Sequence, residues 1–116
     1  MFKLIEDNSK NELKDKFPNA EKYYKFAMDN QIIGNASTNN DINNKFYIYI
    51  NEDLRGKGYG KRLYSEIIKE LDNQNYKEVG VNCNENNIPM RKILDNSGAE
   101  KVAQMERTFK YKVTVY

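Results

Sequence analysis

A basic, glycine-rich loop is the part of this sequence whose residue types most clearly suggest chemistry. Three glycines alternate with other residues in it, at Gly56, Gly58 and Gly60. Four basic side chains accompany them: Arg55, Lys57, Lys61 and Arg62. Glycines let a backbone approach a phosphate closely, and the first turn of a helix offers unpaired N–H groups with a partial positive charge. The loop therefore predicts a diphosphate site; the alternative is a solvated basic turn whose glycines only allow a tight bend.

A strand and a helix flank this loop and would position it. Lys45–Ile50 is rich in aromatic and β-branched residues and apolar on both faces, as is typical of a central strand. From Tyr59 to Leu71, apolar side chains recur at spacings of three and four residues. That period predicts an amphipathic helix with one face on a sheet. A strand, a glycine loop and a helix in this order favour the phosphate interpretation over the bare turn.

The remaining patterns predict further strands and two other helices. The expected strands are Met1–Ile5, Lys22–Met28, Gln31–Thr38, Glu78–Val81, Glu100–Met105 and Thr108–Tyr116. The capping-box pattern Ser9–Glu12 predicts a short helix that ends near Phe17, and a second main helix should begin at Asn86–Pro89 and end before Gly98. We expect one α/β (α+β) domain over residues 1–116.

The composition excludes several classes of protein. The chain has 116 residues, a net charge of +2, no histidine and one cysteine, Cys83. An intramolecular disulfide, a cysteine zinc cage, Ser-His or Cys-His catalysis and the common zinc sites are therefore excluded, and we expect no metal. The small charge gives no reason to expect a nucleic-acid or membrane partner. With no apolar run of about 20 residues and no signal-like N-terminus, we expect a cytoplasmic protein.

Two other phosphate loops do not fit the spacing of the glycines. A Walker A loop needs Gly-Lys followed by a hydroxyl residue, but Arg62 follows Gly60-Lys61, and its earlier glycine would have to stand at Arg55. A Rossmann fingerprint needs two residues between its second and third glycines, and only one separates Gly58 from Gly60.

Arg55-Gly56-Lys57-Gly58-Tyr59-Gly60 instead resembles the Gln/Arg-x-x-Gly-x-Gly/Ala motif of GNAT acetyltransferases, on the strand–loop–helix unit that carries it in that family. Asn87, followed by a short helix and Gly98, resembles the family's second motif, whose asparagine faces the pantetheine arm of the cofactor. The resemblance runs from about Lys22 to the C-terminus. It implies a mixed, mostly antiparallel sheet of six to seven strands, flanked by helices and splayed in its centre, with acetyl-CoA in the resulting cleft.

The resemblance also implies roles for individual residues. The backbone N–H of Ile48 would polarise the thioester carbonyl, and Ile50 would pair with pantetheine. The pyrophosphate would bind the N–H groups of Gly56, Lys57, Gly58, Tyr59, Gly60 and Lys61, with Arg55 adding positive charge. An amine, either a small molecule or a protein N-terminus or lysine, would attack acetyl-CoA directly in a ternary complex. Exposed strand edges make a homodimer plausible.

The sequence departs from the family pattern at the acid-base positions. Leu94 stands where many members have a tyrosine that protonates the leaving thiolate, and the strand before the loop has no carboxylate. Glu52 could accept the amine proton through water, or be a solvated loop carboxylate. Tyr49, like Tyr47 and Tyr111, could donate a proton, or simply pack with its hydroxyl hydrogen-bonded.

Two other functions stay open on the sequence. One is a GNAT domain that binds CoA without catalysis, which Leu94 and the single short N-terminal helix favour. The other is an RNA-recognition module, because Lys57–Gly60 with Tyr64 resembles one of its two motifs and Ile48–Ile50 the other. Against RNA binding, Lys61 stands where an aromatic strand residue belongs, and the two motifs are too close together.

Overall fold

The computed structural model describes residues 1–7 and 13–115, and these form seven strands and three α-helices. The strands are β1 (Phe2–Glu6), β2 (Lys22–Met28), β3 (Gln31–Thr38), β4 (Phe46–Ile50), β5 (Glu78–Asn84), β6 (Glu100–Met105) and β7 (Thr108–Thr114). The helices are α1 (Leu13–Lys16), α2 (Tyr59–Asn73) and α3 (Ile88–Asn96), with 3-10 turns at Ile42–Asn44 and Glu52–Leu54. None of these helices is long and apolar enough to cross a membrane. The predicted capping box, Ser9–Glu12, lies outside the described residues.

The strands confirm the predicted α/β class and the predicted splay. They form two antiparallel sheets, one in the order β1-β2-β3-β4 and the other in the order β5-β7-β6. The sheets meet where the N–H of Lys45 donates to the carbonyl of Gly80 at 2.8 Å. Nearby, the N–H of Asn82 donates to the side chain of Asn44 at 3.2 Å. The splay is thus deep enough that the predicted mixed sheet divides into two antiparallel parts.

A buried lysine fastens this junction. Lys45 is only 1% exposed. Its ammonium donates to the carbonyl of Asn39 at 2.7 Å and to the hydroxyl of Tyr76, just before β5, at 2.8 Å. A carboxylate of Glu21 lies 3.7 Å away. A buried ammonium requires such partners, and here they tie the start of β4 to the approach to β5.

The main core lies between α2 and the sheets. Leu63, Tyr64, Ile67 and Leu71 are buried, as the helical period predicts, while Ile68 is half-buried. The ring of Tyr64 packs edge-on against Phe46 of β4 with centroids 5.9 Å apart. Each fully buried side chain of this size stabilises the fold by about 1.5–3 kcal/mol. Helix α2 is therefore held against β4, and its first turn is fixed beside the glycine loop.

Strands β1, β4, β5 and β7 differ in their bounds from the sequence-based expectation, β1 by one residue at each end and β4 by one residue at its start. Strand β5 continues three residues past Val81 to Asn84, because it stays paired with β7 through Asn84 and Thr108. Asparagine is a poor strand former, so the sequence understates this strand. Strand β7 ends at Thr114, and Tyr116, the predicted end, lies outside the described residues.

Candidate functional site

A cleft of about 570 Å³ runs along the edge of β4 that faces away from β3, between the glycine loop and α3. Its lining includes these predicted site residues: Ile48, Tyr49, Ile50, Arg55, Gly56, Gly58, Tyr59, Gly60, Lys61 and Asn87. Two predicted site residues, Glu52 and Lys57, are exposed and do not line it. The volume is that of a typical small-ligand site.

The hydrogen-bond phase of β4 decides which backbone groups face the cleft. The N–H of Asn51 donates to the carbonyl of Ile33 in β3 at 3.0 Å. In an antiparallel ladder the residues that bond to the neighbour alternate with residues whose N–H and C=O point the other way. Asn51, Tyr49 and Tyr47 therefore bond to β3, and the backbone groups of Ile50 and Ile48 point into the cleft. This orientation is the one that the predicted roles of Ile48 and Ile50 require.

Glycine is required at the three positions of the loop for two different physical reasons. Gly56 and Gly58 have φ angles of 80° and 84°, a left-handed conformation that favours glycine, and a Cβ on either would meet nothing within 4 Å. A Cβ on Gly60 would lie 3.2 Å from Cδ1 of Ile93 in α3 and 3.9 Å from Cγ1 of Ile50. The first two glycines thus set the path of the loop beside open space, and the third lets α2, α3 and β4 approach one another.

The first turn of α2 points its N–H groups at this open space. Gly58 is the N-cap residue, and the N–H of Arg62 donates to its carbonyl at 3.3 Å. The N–H groups of residues 59–61 precede that bond, so α2 itself offers them no carbonyl. Together with the charge of Lys61 they give the mouth of the cleft unpaired donors and positive charge, the chemistry that favours an anion.

Arg55 folds back onto β4. Its Nε–H donates to the carbonyl of Ile50 at 2.9 Å, and its guanidinium carbon lies 5.0 Å from the ring centroid of Tyr49. The carbonyl of Ile50 already accepts one hydrogen bond, which leaves its N–H as the better contact for a ligand that runs along the strand. Arg55 braces the edge of β4 in addition to adding charge.

Asn87 is the N-cap residue of α3. Its side chain accepts a hydrogen bond from the N–H of Met90 at 3.3 Å. It also lines the cleft. Its contact with the pantetheine arm stays a prediction.

The acid-base candidates differ in position. Glu52 lies in the exposed 3-10 turn after β4, outside the cleft, whereas Tyr49 lines the cleft beneath Arg55. The hydroxyl of Tyr47 accepts a hydrogen bond from the ammonium of Lys16 at 3.1 Å. Of these side chains, the tyrosines are within the cleft and Glu52 can act only through water.

Three further side chains are buried away from the cleft lining. The hydroxyl of Tyr111 donates to Asp95 at 3.0 Å, and burial together with that carboxylate raises its pKa. Burial also raises the pKa of the Cys83 thiol, which keeps it protonated and inert. Leu94 is fully buried in the core. Core packing is therefore the role of Cys83 and Leu94.

Sequence reasoning missed several lining residues. Lys16 of α1 lines the cleft, as do Pro89, Met90 and Ile93 of α3. The apolar positions of α3 signalled only that one face of the helix would be covered. For Lys16 no pattern was available, because a lysine on a four-residue helix looks like any solvated lysine.

Comparisons with known proteins agree with this geometry. The family model described as an acetyltransferase (GNAT) domain matches residues 3–92. The structure of the N-acetyltransferase PseH from Campylobacter jejuni, in complex with acetyl coenzyme A, is similar at a TM-score of 0.79 and 17% identity, covering 98% of this chain and 99% of that one. A GNAT family acetyltransferase from Elizabethkingia anophelis with acetyl-CoA bound has a TM-score of 0.74 and 12% identity, covering 97% of each chain.

A third similar structure is a chimera of the spermidine N-acetyltransferase SpeG from Vibrio cholerae and hSSAT. Its TM-score is 0.72 at 16% identity, and the match covers 90% of this chain and 74% of that one. A search of curated protein sequences finds no match. These likenesses show the fold, and the family model shows the family.

Proposed function

The chain belongs to the GNAT acetyltransferase family, and we propose that it binds acetyl-CoA in the cleft beside β4 and transfers the acetyl group to an amine. The observation that carries this proposal is the continuity of the cleft. The edge of β4 that faces away from β3 leads directly to the N–H groups at the start of α2 that have no partner within that helix. A ligand with an extended amide arm and a diphosphate fits such a path, and acetyl-CoA, which the two bacterial structures above contain, is such a ligand.

The residues of the cleft divide the work of binding. The N–H groups of residues 59–61, with those of Gly56 to Gly58, hold the diphosphate, and Lys61 adds charge. The N–H of Ile50 pairs with the pantetheine arm, and Met90 and Ile93 of α3 cover that arm from the other side. Asn87 contributes a polar contact beside α3.

In the proposed reaction a neutral amine attacks the thioester carbonyl directly. The C–N bond forms, the N–H of Ile48 stabilises the developing oxyanion, and the C–S bond then breaks to release CoA thiolate. Holding both reactants in one cleft supplies much of the rate. The amine loses its proton to water, with Glu52 acting at most through that water, and Tyr49, like Tyr47, is adjacent to Ile48 along the chain.

A second candidate function is CoA binding without catalysis. The burial of Leu94 favours it, because a tyrosine at that position would be the expected acid. The absence of Asp and Glu from the cleft lining, among the described residues, favours it too.

Turnover separates the two candidates. Native mass spectrometry of the protein purified from cells should show bound CoA or acetyl-CoA under either function. With acetyl-CoA and a panel of primary amines, the enzyme releases free thiol in proportion to acetylated amine, both measured. Bound CoA with no thiol release from any amine would support the non-catalytic domain instead.

A further inference from the structure

The underside of the cleft carries a row of aromatic rings topped by cations, here termed the cationic shelf: Lys16, Phe17, Tyr47, Tyr49 and Arg55. We propose, building on the acetyl transfer proposed above, that the acceptor amine also carries an acidic group, a carboxylate or phosphate, that binds at this shelf. The acceptor would then belong to the class of amines with an acidic group, because the cationic shelf lies beside Ile48.

The shelf lies on the face of β4 opposite to α2. Phe46 and Ile50 are buried toward α2, and side chains alternate along a strand, so Tyr47 and Tyr49 project from the other face. The ring of Tyr47 lies 4.8 Å from that of Phe17, centroid to centroid. Except for Phe17, all members of the shelf line the cleft. The shelf is therefore next to Ile48, on the side of the strand that α2 leaves open.

Each of the two rings that could attract a cationic acceptor already has a cation of the protein beside it. The ammonium of Lys16 lies 4.7 Å from the ring centroid of Tyr47, and the guanidinium carbon of Arg55 lies 5.0 Å from that of Tyr49. A cation of the protein beside an aromatic ring already makes the cation–π interaction that would otherwise attract a substrate ammonium. A second ammonium at either ring would also be repelled by the cation already present.

The charges of the cleft point the same way. Lys16, Arg55 and Lys61 line it, and no Asp or Glu does so among the described residues. The described lining therefore offers a polyamine or a basic peptide no carboxylate. The ammonium of Lys16 has three donors and gives one to Tyr47, at 3.1 Å, so it can still bind a carboxylate or phosphate oxygen.

The test compares amines that differ by an acidic group. Tyrosine is paired with tyramine, glucosamine 6-phosphate with glucosamine, and spermidine serves as the polycation. Initial rates are compared at equal concentrations of neutral amine, so that the pKa of the amine itself does not decide the result. We expect kcat/KM to favour the acidic member of at least one pair by about two- to fivefold, the upper part of the range for one exposed charge contact, with spermidine the poorest acceptor. The pair that responds tells a carboxylate from a phosphate.

Two variants tie the preference to the shelf. Lys16→Gln should abolish most of it, and Lys16→Glu should reverse it, whereas Lys14→Gln, on the same helix but outside the cleft, should leave it unchanged. Calorimetry of the same compounds with the CoA-saturated protein reads the preference without turnover. Equal or better use of spermidine, a preference that survives Lys16→Glu, or no discrimination in either assay would overturn the inference. Acetyl-CoA affinity, measured on the same samples, reports separately on the proposed function.

Discussion

Replacing Gly58 by alanine separates the role of the loop in binding from its role in folding, because the chain contains a matched control. Gly58 and Gly98 both have a φ of 84°, and a Cβ on either would meet nothing within 4 Å. Gly58 lines the cleft at the start of α2, whereas Gly98 follows the end of α3 and does not line it. The two substitutions thus impose the same backbone strain at places with different proposed functions.

The magnitude follows from that strain. An L-residue in the left-handed region costs about 1–2 kcal/mol, offset in part by the stiffer unfolded chain, so each variant should lose about 1 kcal/mol of unfolding free energy. For a chain of this size that is roughly 4 °C in melting temperature. In Gly58→Ala the methyl group also enters the space where the diphosphate is proposed to bind, and relief of the strain turns the N–H groups of α2 away from it.

The assay is calorimetric titration of acetyl-CoA into both variants and the parent protein, with thermal melts in parallel. Gly98→Ala should bind acetyl-CoA as the parent does. Gly58→Ala should bind it at least about tenfold more weakly, which removes about 1.4 kcal/mol of ligand stabilisation at saturating acetyl-CoA. If the two variants melt alike and bind alike, the diphosphate does not bind at this loop and the reasoning from glycine geometry is refuted.

Three other predictions follow from the structure. Gly80→Ala should lower the unfolding free energy by about 1–3 kcal/mol in urea titrations, because its Cβ would overlap the backbone of Asn43 where the two sheets meet; unchanged stability would contradict this. Burial raises the pKa of Tyr24 from 10.0 to about 12, so its contribution to stability is complete below pH 10 and lost as pH rises toward 12; in urea titrations Tyr24→Phe should flatten that loss, and an unaltered profile would count against it. The acetylation rate should rise with pH toward the pKa of the acceptor, and Glu52→Gln and Tyr49→Phe should each lower kcat less than about tenfold; a thousandfold drop in either, with acetyl-CoA affinity intact, would identify a dedicated catalytic residue instead.

The strand–loop–helix unit was readable because its signals are local. All three signals lie within about 30 residues: the helical period of α2, the run of strand-forming residues before it and the glycines between them. Each signal has a single local physical cause. The splay between the sheets was given by resemblance alone. No local pattern shows that Lys45, at the start of a strand, is buried against Asn39 and Tyr76.

The limits of prediction within the site have a similar cause. Most of the loop and Asn87 line the cleft together, as expected, but Lys57 and Glu52 are exposed and do not line it. Whether a loop side chain faces a cleft depends on tertiary packing that a linear motif does not encode. Lys16 reaches the cleft only because α1 packs near Tyr47, a contact between residues far apart in the sequence.

The most direct test of the central claim is calorimetric titration of acetyl-CoA into the unmodified protein. The account predicts saturable binding at one site per chain, together with a higher melting temperature that grows with ligand concentration, by about 2.7 kcal/mol of stabilisation at one hundred times the dissociation constant. No heat of binding and no change in melting temperature at millimolar acetyl-CoA would contradict it.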